Sequence, residues 1–240
     1  DNINFEKSLS KDFGSLNIGV IKNIEKLGIS EDVINAYETS KTVLTGLGHK
    51  LIEVDFSELS SGICSYYVIA PAECSSNLSR FDGVKYGYRS EGEKDIANLY
   101  MNTRSDGFGD EVKKRILIGT HVLSAGFYDA YYLQAQKVRR MIKVKFEDFF
   151  KDVDLIFMPT TLDQAFEKNR KSDDPNRMYK EDLLTIPANL AGLPAISFPN
   201  GFKNNLPIGG QLIGKYFGED LLLNTTNKIQ EVTDWHKMTP

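Results

Sequence analysis

Few side chains in this sequence stand at spacings that could do chemistry. His49, His121 and His236 are scattered, with no Cys, Asp or Glu at metal-ligand spacing, so surface or packing roles account for them. Cys64 and Cys74 lie ten apart in one helical stretch and read as core thiols, since no histidine is placed to activate either. No Gly-x-Ser-x-Gly elbow occurs, which leaves a hydrolase of the nucleophile-elbow type without its serine. Gly209, Gly214 and Lys215 have the spacing of a phosphate-binding loop. Tyr216, however, stands where a Ser or Thr would ligate magnesium, and IGGQLIG reads as a strand. Nothing singles out any two of the 33 acidic residues as a paired-carboxylate site.

The elements that would position any site must come from 240 residues with a net charge of −4, enough for one large domain or two small ones. Hydrophobic residues at 41% and charged residues at 26% fit a globular chain rather than a disordered one. The longest apolar run, around Ile63–Ala72, falls short of the roughly 18–20 residues that cross a bilayer and is broken by Ser65 and Pro71. No signal segment opens the sequence, two cysteines suit a reducing, cytoplasmic setting, and the slight acidity disfavours gripping nucleic acid. The start at Asp1 rather than Met is expected of a processed or excised chain.

Residues 1–14, polar and ending in Gly14, read as a tail or linker, with 15–240 expected to be the C-terminal part of a domain whose N-terminal half is not in the sequence. Leu16–Lys22 and Leu51–Phe56 alternate as strands around a helix opened by Ser30, Glu31 and Asp32, a parallel βαβ unit. The middle is helical: Ser61–Phe81, Lys94–Arg104, Asp110–Ala125 and Tyr128–Val153. The last carries Lys137, Arg139, Arg140, Lys143 and Lys145, a solvated face because Glu147 and Asp148 follow. Asp154–Thr160 is a buried strand, Leu162–Met178 a long loop and Glu181–Ala191 a short helix. Ala195–Pro199 and Ile208–Ile213 are strands joined through Gly201–Pro207, and Glu219–Val232 is a closing helix. The fold class is α/β, a mixed sheet flanked by helices on both faces.

Three blocks are more particular than composition explains: YYVIAPAECSSNLSRFDGVKYGYR from Tyr66, EVKKRILIGTHVLSAGFYDAYYLQAQKVR from Glu111, and IPANLAGLPAISFPNGF from Ile186. They resemble the amidase signature family, and within it the C-terminal half of the A subunits of glutamyl-tRNA(Gln)/aspartyl-tRNA(Asn) amidotransferases. The resemblance runs from about Leu16 to Val232 and implies a partial amidase-signature fold. It also implies a glutaminase that passes ammonia to a B subunit, where ATP and magnesium activate the tRNA-bound glutamate, while a small C subunit clasps the A subunit. The nucleophilic Ser, the cis-peptide Ser and the Lys of such enzymes have no counterpart here. The expectation is therefore a chain inactive alone, with no catalytic residue, metal or cofactor of its own.

By the same resemblance, Tyr66, Arg115 and Asp182 are the substrate-binding residues for L-glutamine. The Arg115 fork would take the α-carboxylate, Asp182 the α-ammonium, and the Tyr66 hydroxyl would fix orientation. Read from the residues alone, Arg115 is an ion-pairing helix arginine, Asp182 a helix-start carboxylate and Tyr66 a core-edge aromatic. Two other readings stand beside this one: part of another amidase, or a non-catalytic α/β interaction module. A half-domain would also leave apolar surface that invites non-native self-association.

Overall fold

Strand β1 (Asn17–Ile21) runs parallel to β2 (Lys50–Val54), and helix α2 (Glu31–Gly46) carries the chain between them, the expected βαβ unit. Strand β3 (Leu155–Pro159) joins the other side of β1, also parallel, with Ile18 opposite Leu155. Strands β4 (Ala195–Lys203) and β5 (Leu206–Gly214) form an antiparallel hairpin, and β5 lies against β3. The sheet order is β2-β1-β3-β5-β4, so the fold is a mixed five-stranded α/β sheet. This computed structural model describes residues 4–92, 94–168 and 181–239.

All five residues of β3 are buried, which requires cover on both faces of the sheet. On one face Tyr37 of α2 stacks on Phe157 with ring centroids 5.1 Å apart. Leu222 of helix α8 (Glu219–Val232) closes over Gly214 of β5 on that same face. Gln211 points to the opposite face and reaches the Leu184 carbonyl, just ahead of helix α7 (Ile186–Ala191). There Gly62, the first residue of helix α3 (Gly62–Leu78), leaves room for Ile142, Ile186 and Leu190. Ile142 belongs to helix α6 (Leu133–Asp152).

The chain divides into two compact units. The first, Asp1–Ile63 with Arg140–Pro240, holds the sheet; the second, Cys64–Arg139, is helical. The second unit contains most of α3 together with α4 (Ile96–Gly107) and α5 (Asp110–Val122). Arg104 of α4 donates to the carbonyls of Leu78 and Phe81, and Lys113 of α5 donates to the Ser105 carbonyl, so α4 is tied to both neighbours. Most exposed large hydrophobic side chains lie in this unit, among them Ile96, Met101, Leu117 and Ile118.

Several elements differ from the sequence reading. Within residues 1–14, read as a tail or linker, Phe5–Leu9 forms helix α1, capped by the Asn4 side chain. The buried Asn224 amide of α8 donates to the carbonyls of Ser8, Leu9 and Lys11, a tertiary contact no local pattern announces. The hairpin is tighter than expected because Asn204 and Asn205 both adopt left-handed backbone (φ 51 and 61), which permits a two-residue turn. Gly201 is absorbed as a bulge inside β4, where the register shifts between Pro199 and Phe202. Helix α7 starts at Ile186, not Glu181, because Pro187 has no N–H to extend it backwards. A π-helical turn, Tyr128–Tyr132, precedes α6 where one continuous helix was expected. The Leu162–Met178 loop has no regular structure over 162–168, and its remainder lies outside the described residues.

Part of the basic face of α6 is engaged by acidic neighbours. Lys143 pairs with Glu147, Lys145 with Glu58 and Lys151 with Asp148. Among the described residues no helix is long and apolar enough to cross a membrane.

Tyr37 locks α2 to the sheet. Its hydroxyl accepts from the Ile21 N–H at 2.8 Å and donates to the Phe157 carbonyl at 3.4 Å, and the side chain is fully buried. Burial pushes the phenol well above its ordinary value of 10.0. Above that pH the unfolded chain releases this proton while the folded chain retains it, so ionisation of Tyr37 lowers stability as pH rises past about 10. Tyr37→Phe should cost about 1–3 kcal/mol by urea unfolding at pH 7, because the Ile21 amide is left unpaired. It should also flatten the loss of stability above pH 10; an equally steep alkaline loss in the variant would assign it to other groups.

Candidate functional site

Helices α3 and α5 carry two of the three predicted substrate residues, and their approach is unusually close. Pro71 inside α3 cannot donate to the Tyr67 carbonyl one turn back. At that level Gly119 of α5 lies against the Pro71 carbonyl oxygen, where a Cβ would collide with it and stand 2.8 Å from Ser75 Cβ. The hydroxyls of Ser75 and Thr120 meet beside it at 2.9 Å. Tyr66 sits five residues before Pro71, half-buried, its ring edge-on to Tyr67 with centroids 5.0 Å apart.

Arg115 sits one turn before Gly119 on α5, its Nη1 3.3 Å from Glu111 Oε1, with the side chain 36% exposed. This is the ion-pairing helix arginine that the residues alone suggested. Such an exposed pair one turn apart contributes about 0.3–0.5 kcal/mol. A substrate carboxylate taking the guanidinium in two parallel charge-assisted bonds would outweigh it.

The most distinctive sequence block, SNLSRFDG and its continuation, is engaged in building the second unit. Arg89 donates to the Gly83 carbonyl at 3.0 Å, and Arg80 lies over the Tyr86 ring at 4.6 Å. The Val84 N–H bonded to Asp82 holds that carboxyl below its ordinary range. Gly83, at φ +77, packs so closely on Thr103 that a side chain would be blocked twice over. These residues shape a loop; its arginines are committed to carbonyls and an aromatic face.

Asp182 belongs to the first unit, in the turn before α7, and is half-buried. Its carbonyl accepts from the Thr185 N–H at 3.2 Å, the Ile186 N–H at 3.0 Å and the Thr185 hydroxyl at 3.3 Å, so residues 182–186 form one hydrogen-bonded turn. Sequence reasoning missed Gln211, which is 3% exposed at the centre of β5. Its Nε2 donates to the Pro159 carbonyl at 3.1 Å and to the Leu184 carbonyl at 3.0 Å. A glutamine inside an otherwise apolar and glycine strand was the available signal.

The remaining chemistry-bearing residues have ordinary roles. His49 Nδ1 accepts from the Leu16 N–H, and burial pushes its imidazole below the usual value. His121 packs on Phe127 with ring centroids 4.1 Å apart, and His236 is exposed near the C-terminal end. The two cysteines are not core thiols: Cys64 is exposed and Cys74 half-buried, because α3 buries the stripe Ser65, Ile69 and Ala72 instead. Among the described residues no group of three His, Cys, Asp or Glu is placed to hold a metal ion. IGGQLIG is strand β5, as read, and makes no phosphate loop.

With the mixed sheet and its helical unit in view, comparison with known proteins places the chain. The profile of the amidase family matches residues 2–223, and the chain belongs to that family. Among its relatives, the A subunit of the Hahella chejuensis glutamyl-tRNA(Gln) amidotransferase is 50% identical over 236 residues, 98% of this chain and 49% of that protein. The corresponding A subunit of Coxiella burnetii is 49% identical over the same coverage. The chain thus spans about half the length of the curated relatives it matches. The crystal structure of the Thermotoga maritima glutamyl-tRNA(Gln) amidotransferase A subunit superposes with a TM-score of 0.70 at 36% identity, covering 94% of this chain and 44% of that one. 6-Aminohexanoate cyclic dimer hydrolase shares the fold, with a TM-score of 0.72 at 20% identity over 98% of this chain and 49% of that one.

Gly119 sets the spacing of the helices that carry Tyr66 and Arg115. Gly119→Ala should destabilise the chain by about 1–3 kcal/mol, the usual cost of overpacking, read as a lowered denaturant midpoint with little change in slope. An unshifted midpoint would mean that the helix pair yields freely there.

Proposed function

We propose that this chain is the glutamine-recognition part of the glutaminase subunit of a tRNA-dependent amidotransferase, corresponding to the C-terminal half of an A subunit. What carries the reading is the 50% identity to a glutamyl-tRNA(Gln) amidotransferase A subunit across 98% of the chain. In this reading Arg115 takes the α-carboxylate of L-glutamine, Asp182 accepts from its α-ammonium and the Tyr66 hydroxyl fixes its orientation. The exposed Glu111–Arg115 pair supports the first role, since it holds the guanidinium only weakly in the absence of substrate. The nucleophile and its proton relay are supplied by the rest of the full-length subunit. Ammonia released from glutamine passes to the B subunit, where ATP with magnesium activates Glu-tRNA(Gln), and the C subunit clasps the A subunit. The assembly works in the cytoplasm or an organelle matrix, with tRNA contacts falling mainly on the partner subunits.

Free glutamine is a zwitterion, so selectivity for it rests on reading both charges; losing one partner in a closed site leaves the other charge unpaired. In the full-length subunit within its complex, Arg115→Lys should raise KM for glutamine about tenfold while kcat holds. A point charge replaces the planar fork, and only uniform substrate binding is lost. A glutamine KM equal to the parent's would remove Arg115 from the site.

A further inference from the structure

Gln211 is a buried amide in the sheet that ties a strand end to the turn bearing a proposed substrate residue. β5 runs between β3 and β4, and Gln211 is opposite Met158 on one side and Ser197 on the other. Its Nε2 carries two hydrogens, and both are spent: one on Pro159, the last residue of β3, the other on Leu184. Leu184 is two residues beyond Asp182 and its own side chain is 1% exposed. The turn that follows Asp182 is closed by three bonds onto the Asp182 carbonyl. A displacement of Leu184 is therefore passed on to Asp182.

Apolar packing of Leu184 and Ile186 presses this turn onto the sheet without fixing its direction, since such contacts are nearly isotropic. The Gln211 amide supplies a directional restraint, because its N–H groups address two carbonyls about 3 Å away at fixed angles. A carboxylate that must meet an ammonium group needs such support: recognition side chains are held to within about 0.5 Å by the residues behind them. We infer that Gln211 is a positioning residue for glutamine selectivity, holding the Asp182 turn in register with the end of β3. This rests on the assignment of Asp182 to the α-ammonium of glutamine.

The test separates the two assignments by comparing glutamine with 4-carbamoylbutanoate, the same amide without the α-ammonium, in the full-length subunit within its complex. The quantity read is the ratio of kcat/KM for the two amides. Asp182→Asn should cut the preference for glutamine strongly. Gln211→Met, which fills the space but donates nothing, should lower that preference about tenfold, mainly through KM for glutamine. Gln211→Asn, which keeps the donors on a stem one carbon shorter, should fall between Gln211→Met and the parent. A general loss of folding would depress both substrates alike and leave the ratio at the parent value, so thermal unfolding is measured alongside. If Asp182→Asn lowers the ratio and both Gln211 variants keep it, Gln211 does not position the turn. If both Gln211 variants lose cooperative unfolding, the residue is structural only and the inference is overturned. If Asp182→Asn itself keeps the ratio, the assignment of Asp182 fails first.

Discussion

The burial of β3 on both faces constrains the rest of the first unit. Leu155, Ile156, Phe157 and Met158 are fully shielded, and a strand shielded twice must have a layer above and a layer below. Tyr37 and Leu222 answer for one side, and the approach to α7 answers for the other. Because β3 lies between a parallel neighbour and an antiparallel one, it is also where the βαβ unit meets the closing hairpin. The hairpin delivers Gln211 to the end of β3, and the turn bearing Asp182 is fastened there. The recognition chemistry proposed for this turn thus depends on a core strand that carries none of it.

The second unit relies on a different physical device. Its helices are held by close backbone approach and by arginines that satisfy carbonyls, with many large apolar side chains left in solvent. Gly119 against the Pro71 carbonyl is contact of a kind open only to a residue without Cβ. In the same unit Arg115 of α5 is part-exposed and paired with Glu111. Weak neutralisation is compatible with the role proposed for Arg115, since a deeply buried pair would resist an exchange of partners.

Much of the framework was legible in the residues. The alternation of Leu16–Lys22, the acidic first turn after Ser30 and the closed apolar run before Pro159 each follow from local periodicity and became β1, α2 and β3. What escaped was non-local or depended on backbone sign. Asn224 reaching Ser8 spans 216 residues and leaves no trace in any short window. The Asn204–Asn205 turn was hidden because Gly201 and Pro207 nearby suggested a longer loop, yet a bulge and a single-neighbour stretch of β5 accommodate both. At the candidate site, residue types alone left Tyr66, Arg115 and Asp182 with ordinary structural roles, and only the block-level resemblance raised them. Gln211 was passed over because a lone amide in a strand takes its meaning from the two carbonyls it meets.

The grip of Asn224 on the opening helix bears on how the chain comes together. Three carbonyls of residues 8–11 share the two amide hydrogens of a side chain more than two hundred residues further along. Helix α1 has five residues, far too few to persist by itself in water, so it depends on this contact with α8. The sheet likewise waits for its hairpin, because β3 is flanked on one side by a strand synthesised some fifty residues later. The first unit therefore closes by contacts between segments far apart in the sequence, the kind of topology that folds slowly because distant parts must meet before either is stable.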